Sequence, residues 1–253
     1  MAGTQKQKDK RSVRILPVLL AVVLIVLSAI LFYVATWPKY ARKEFYGDMT
    51  DELRDSDLYE DMQSGKSFCF IGDSITEGSM IWGVTWYDPL KPYISGEIIN
   101  FSHSGWTTGD LIERKDEIPA ADIYVIAIGV NDVLYPDDAM SASSGEEYAS
   151  CLEELSDALI STSPGARIYY IAPWILIDLP EEILDRRDEY SRALEEWCTG
   201  DDRIFIDPVP VIRSVLDKED VTEYMNDTVH PNMRRGVGLY SYAVLLGDHQ
   251  RRT

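Results

Sequence analysis

Ser67-Phe68-Cys69-Phe70-Ile71-Gly72-Asp73-Ser74-Ile75-Thr76 is the stretch that decides the fold. A short, mostly apolar run ends abruptly in a glycine and a row of small polar side chains. Such a run bounded by a turn signal has the character of a strand covered on both faces. The same shape recurs at Ile98–Ser102, Ile123–Ile128, Arg167–Ile171 and Arg203–Ile206. Longer amphipathic stretches separate these runs, at about Thr107–Lys115, Glu146–Ser161, Glu181–Trp197 and Asn232–Leu246. Within Tyr148–Ile160, for example, Cys151, Leu152, Leu155, Ala158 and Leu159 fall on one helical face. Strand and helix alternating at this spacing predict a three-layer α/β/α domain around a parallel sheet. Ligands in such sheets gather at the carboxyl ends of the strands.

Chemically useful residues collect at those ends. The first strand leads into Asp73-Ser74, the second into His103-Ser104-Gly105, and the third into Gly129-Val130-Asn131-Asp132. Near the C-terminus, Asp227-Thr228-Val229-His230-Pro231 precedes the last helix. Together they are a kit for acyl transfer. A serine hydroxyl needs a base to accept its proton, and an imidazole does so at neutral pH. A carboxylate holds that imidazole in one tautomer. Asp227 and His230 are three residues apart, so one turn brings the carboxylate to one ring nitrogen and leaves the other for Ser74. The oxyanion needs donors already in place, and the N–H groups of Ser74 and Gly105 with the Asn131 amide supply three.

In these four blocks the sequence resembles the SGNH (GDSL-type) hydrolases. The resemblance runs from about Ser67 to Leu246, with Gly72-Asp73-Ser74, Gly105, Gly129-Val130-Asn131-Asp132 and Asp227-Thr228-Val229-His230 in order. It departs from the name-giving motif at Ile75, where that motif has leucine. The resemblance implies a flavodoxin-like sandwich. It also implies a triad of Ser74, His230 and Asp227, with an oxyanion hole from Ser74, Gly105 and Asn131.

Each residue also has a plainer role. Ser74 alone reads as a helix N-cap, Asp73 as a brace for the turn, and Asp132 as a support for the Asn131 loop. His103, Trp106, Tyr135 and Trp174 follow strand ends, where they line a substrate pocket or simply pack. No cluster has metal-ligand spacing, and no cofactor is expected. Cys69, Cys151 and Cys198 read as buried, inert thiols, with a Cys151–Cys198 disulfide as the alternative.

The charge divides the chain. Residues 1–43 carry eight Lys or Arg and one acid, leaving 16 basic and 42 acidic residues downstream, a net of −26. That excludes an extended basic face for nucleic acid. Residues 15–38 contain no charge and exceed the ~20 residues an α-helix needs to cross a bilayer. Five cations precede this run and three follow it. The positive-inside bias then predicts a cytoplasmic tail at 1–14, a transmembrane helix at 15–38, an acidic juxtamembrane spacer at 39–65 and an extracytoplasmic hydrolase domain at 66–253. The expected partners are the lipid bilayer and an acylated small molecule or glycan.

The function expected is a cell-membrane serine esterase acting on O-acyl, first of all O-acetyl, esters of carbohydrates. An O-acyltransferase working beside a membrane acyltransferase partner uses the same residues. A non-catalytic surface binding module is the rival from another class.

Overall fold

The computed structural model describes residues 17–33, 45–199 and 203–253. Residues 17–33 form a helix, α1, every residue of which is exposed. The rest of the expected 15–38 span, like the 1–14 tail, lies outside the described residues. Among the described residues, no helix is long and apolar enough to cross a membrane.

The downstream residues form a five-stranded, all-parallel sheet. Its strands are β1 (Phe68–Gly72), β2 (Ile98–Ser102), β3 (Ile123–Ala127), β4 (Arg167–Ile171) and β5 (Arg203–Ile206), in the order β2-β1-β3-β4-β5. Register is continuous across the centre, with Phe68 opposite both Ile98 and Ile123 and Gly72 opposite both Ser102 and Ala127. β1 and β3 are buried at every position, whereas β2, at the edge, is only half-buried. The connection from β1 leads to one side and the next returns across it to β3. The switch point therefore lies between β1 and β3, where a ligand crevice opens above their carboxyl ends.

Helices cover both faces. They are α2 (Asp51–Arg54), α3 (Asp57–Met62), α4 (Ser74–Glu77), α5 (Thr108–Glu113), α6 (Val130–Leu134), α7 (Gly145–Thr162), α8 (Glu181–Trp197), α9 (Val209–Leu216) and α10 (Gly236–Arg252). Adjacent residues of a strand point to opposite faces, and β4 shows which helices lie where. Tyr169 reaches down to Asp61 of α3 (2.7 Å), while Tyr170 turns the other way to Ser156 of α7 (2.6 Å). α10 packs with α2, α3 and α9, and α7 packs with α5 and α8. Helix starts follow side-chain caps: Ser144 accepts from Glu147 N–H at α7, and Thr107 with Asp110 forms a capping box at α5.

Two expectations need correction. The acidic stretch before Ser67 is part of the domain, not a solvated spacer. Leu53, Leu58 and Met62 are buried in the core, and Asp61 accepts from Tyr169 and from Arg167 (3.1 Å). Leu58 N–H donates to Asp248 (2.7 Å), and Arg251 bridges Asp248 and Asp57. The acids fold because the cations that neutralise them lie far along the chain. The final helix begins at Gly236 rather than Asn232, because Asn232 Oδ1 accepts the N–H groups of Arg234, Arg235 and Gly236 (3.0–3.1 Å) and turns the chain first. All three cysteines are free thiols, and burial pushes those of Cys69 and Cys198 up to about 12.

Candidate active site

β1 delivers its chain to the crevice through a glycine that tolerates no side chain. A Cβ on Gly72 would stand 2.4 Å from the Ala127 carbonyl oxygen and from Thr76 Oγ1. Asp73 then caps α4 by accepting from Ile75 N–H (3.0 Å), which makes Ser74 the first helical residue. Ser74 is buried apart from a small opening, with 8% of its surface exposed.

The partner of its hydroxyl comes from 156 residues away: Ser74 Oγ lies 2.9 Å from His230 Nε2. The other ring nitrogen, Nδ1, lies 3.0 Å from Asp227 Oδ2 and 3.1 Å from Oδ1. A carboxylate can only accept, so Nδ1 carries the proton and Nε2 presents a lone pair to the serine O–H. Asp227 Oδ1 also accepts from Val229 N–H (2.8 Å) and His230 N–H (2.7 Å). Partial burial alone would raise this carboxyl. The two N–H groups and the imidazole outweigh it and hold Asp227 below the usual carboxylate range. The loop is stapled at its base by Asn226 N–H on the His230 carbonyl (2.8 Å) and by the Met225–Pro231 bridge.

The other residues expected to supply oxyanion donors, Gly105 and Asn131, lie just past β2 and β3. Gly105 is an exposed turn residue at φ +84°, a backbone region that favours glycine. Asn131 Nδ2 donates one hydrogen to the Trp106 carbonyl (2.8 Å), which fixes the amide's orientation. Asp132, fully buried, anchors this loop by accepting from Thr108 N–H (3.1 Å), Thr108 Oγ1 (2.5 Å) and Ala142 N–H (2.9 Å). Ser74, His230 and Asp227 are thus brought into contact from two ends of the domain, and Gly105 and Asn131 are joined through Trp106, which follows Gly105 and accepts from the Asn131 amide.

Residues 70–234 match the sequence pattern of the GDSL-like lipase/acylhydrolase family. The chain belongs to that family. This GDSL-like protein is accordingly a serine ester hydrolase. Among solved structures it is similar to Axe2, an acetylxylan esterase from Geobacillus stearothermophilus. That match has 24% identity, covers 73% of this chain and 94% of that one, and has a TM-score of 0.60. It is also similar to LAE5, an alpha/beta hydrolase enzyme from the metagenome of Lake Arreo, Spain, with 21% identity, 73% and 95% coverage and a TM-score of 0.62. At these identities the likeness establishes the fold. No curated protein matches the chain.

The candidate pocket residues of this GDSL-like hydrolase divide. His103 stands on the rim, largely exposed, 3.2 Å from Glu77 Oε1, and its ring lies 5.5 Å from that of Trp106. Trp106 is half-buried between Phe101 and the Arg114 guanidinium. Tyr135 is exposed at the end of α6. Trp174 does not line the pocket: it is buried in the core, stacked on Tyr240 (4.7 Å) and edge-on to Trp86 (5.4 Å). Its apolar neighbours Ile175 and Leu176 are buried with it, because the chain beyond β4 continues through the core before it surfaces.

Two residues escape a linear reading. Glu77, at the end of the serine helix, accepts from Ser104 N–H (2.8 Å) and faces His103, tying α4 to the Gly105 turn. No spacing pattern pairs residues 77 and 104. Trp82 is exposed on the turn after α4, and its only linear signal is the pair of glycines at 78 and 83 that bracket the turn.

Proposed function

We propose that this hydrolase is an extracytoplasmic, membrane-anchored esterase that removes small O-acyl groups, O-acetyl first, from carbohydrate. The observation that carries the reading is Ser74 Oγ at 2.9 Å from an imidazole whose far nitrogen is held by Asp227. His230 Nε2 takes the hydroxyl proton as Oγ attacks the ester carbonyl. The tetrahedral oxyanion is met by the N–H groups of Ser74 and Gly105 and by the Asn131 amide. Collapse expels the sugar alcohol, which receives the proton from His230. Water then repeats the cycle on the acyl-serine and releases the carboxylic acid, restoring Ser74.

The carbohydrate assignment is supported by the acetylxylan esterase among its structural relatives. The anchor is supported by the uncharged run at 15–38, by the cations flanking it, and by α1, which exposes Val18, Leu24, Ile25 and Leu31. Apolar side chains displayed along a helix are suited to an apolar environment.

The test uses the full chain in membranes. A fluorophosphonate is expected to label it, and Ser74→Ala to abolish both labelling and release of acetate from acetylated xylan. Absence of labelling in the intact protein would assign the domain to binding instead. Acetate appearing on an added glycan rather than in solution would assign it to acyl transfer.

A further inference from the structure

The domain exposes few large apolar side chains. Among its described residues there are four: Met80, Trp82, Tyr135 and Ile160. Three of them stand on the two loops that leave the active site. Met80 (53% exposed) and Trp82 (85%) lie on the turn after α4, the helix that begins with Ser74. Tyr135 (62% exposed) ends α6, the helix that carries Asn131, and its N–H donates to the Asn131 carbonyl (2.8 Å). α4 packs beside edge strand β2, whereas α6 packs beside α8. The two loops therefore leave the switch point toward opposite sides.

Trp82 is held out by the backbone. Its φ of +61° and ψ of +31° put a bulky residue in the left-handed region. The turn has no freedom to relieve this. Ile81 N–H (3.1 Å) and Gly83 N–H (2.8 Å) both donate to the Gly78 carbonyl, and the flanking Ile81 and Val84 are buried. A Cβ on Gly78 would stand 2.5 Å from the Val84 carbonyl oxygen. Backbone strain of this kind concentrates at active sites and ligand clamps.

The ligand's chemistry follows. A flat aromatic face beside an ester site offers an uncharged, apolar surface to a planar or ring-shaped neighbour. With 16 basic against 42 acidic residues beyond residue 43, a polyanion or an anionic lipid surface is repelled. A neutral sugar ring, presenting its C–H face, is not. We propose that Trp82 and Tyr135 are stacking subsites on opposite sides of the ester, so that the enzyme prefers an acyl group within a neutral glycan chain to one on an isolated sugar. This rests on the glycan esterase reading above and extends it to the length of the substrate.

The test compares p-nitrophenyl acetate, acetylated xylose and acetylated xylo-oligosaccharides of two to six sugars. For the full chain, KM is expected to fall with length. Trp82→Gly relieves the backbone, so its melting temperature is expected to equal or exceed that of the parent. Its KM for the longer oligosaccharides is expected to rise about tenfold, flattening the length dependence. Trp82→Phe, which keeps an aromatic face, is expected to restore most of that dependence.

A parent enzyme indifferent to chain length would overturn the subsites, as would Trp82→Gly with the parent's length dependence. So would a Trp82→Gly loss in kcat/KM that is as large on p-nitrophenyl acetate as on the hexamer. Weakened binding to phosphatidylglycerol vesicles with an unchanged KM series would move Trp82 to a lipid surface and overturn them too. A parent that turns over none of these esters would instead overturn the esterase reading beneath.

Discussion

Replacing Glu77 by alanine cuts the tie between the serine helix and the Gly105 turn. Two contacts are lost. The Ser104 N–H bond to Oε2 (2.8 Å) is a charge-assisted hydrogen bond, of a class worth ~1.5–3 kcal/mol. With the Glu77 side chain 29% exposed, the lower end applies. The His103 contact (3.2 Å) involves a ring 62% exposed and adds at most ~0.5 kcal/mol after solvent screening. About 2 kcal/mol of restraint on residues 103–105 therefore disappears. Loss of a whole oxyanion donor costs ~2.7–4 kcal/mol, which sets the ceiling. The effect stays below it because Trp106 N–H still bonds the His103 carbonyl (3.2 Å) and Asn131 still holds the Trp106 carbonyl. The expected result is a fall in kcat of roughly 10–30-fold with KM within a factor of about two. Steady-state hydrolysis of p-nitrophenyl acetate at pH 7.5 measures it, with a thermal melt to establish folding. Glu77→Gln keeps an acceptor for Ser104 N–H and should recover most of the rate. A folded Glu77→Ala enzyme with kcat within twofold of the parent, or with only KM raised, refutes the reasoning.

Three further outcomes are expected. Asn131→Ala removes the amide donor and releases the Trp106 carbonyl, so kcat should drop by ~10²–10³; near-normal turnover would take Asn131 out of the site. Leu58→Ala, at a side chain buried in the core by α3, should lower stability in urea by about 3 kcal/mol, whereas a residue of a solvated spacer would cost under ~0.5 kcal/mol. Asp73 supplies a pH signature. Burial pushes its carboxyl up to about 7 against the Ile75 N–H bond, and the neighbouring Asp132 charge adds to the rise. The folded state thus holds a proton that the unfolded chain, titrating near ~3.9, releases. Stability should fall as pH rises from ~4 to about 7 and level off above. Asp73→Asn keeps the cap and abolishes that slope, gaining on the order of 2–4 kcal/mol over the parent at pH 8 and nothing at pH 4. Urea titrations at a series of pH values with parallel curves for the two proteins would contradict this.

The strands were legible because each is a short apolar run stopped by a turn residue, and burial on both faces leaves that mark in any one stretch. The long helices α7 and α8 were legible from their periodicity. The short helix α6 was not, since one turn shows no period, and α4 was signalled only by the capping character of Ser74, a role that Asp73 takes. Nor were α2 and α3 legible: the acids of α3 look like part of a solvated tract until Arg167 and Arg251 are brought against them, and Glu52 of α2 faces His249. Trp174 and Trp106 occupy similar places after strand ends, yet one is core and the other half-buried at the site. Which way a loop turns depends on what packs beneath it.

Sequence alone determined the residue types available for acyl transfer and placed Ser74, Gly105 and Asn131 just past strand ends, because ligands gather where parallel strands stop. It also determined the uncharged run at 15–38. Only the tertiary structure decided the distances: Ser74 against His230 across 156 residues, Glu77 against Ser104, and the rigid turn that turns Trp82 outward. Contacts of that range are made by the closing of the sheet and its helices around one core, and no local pattern encodes them.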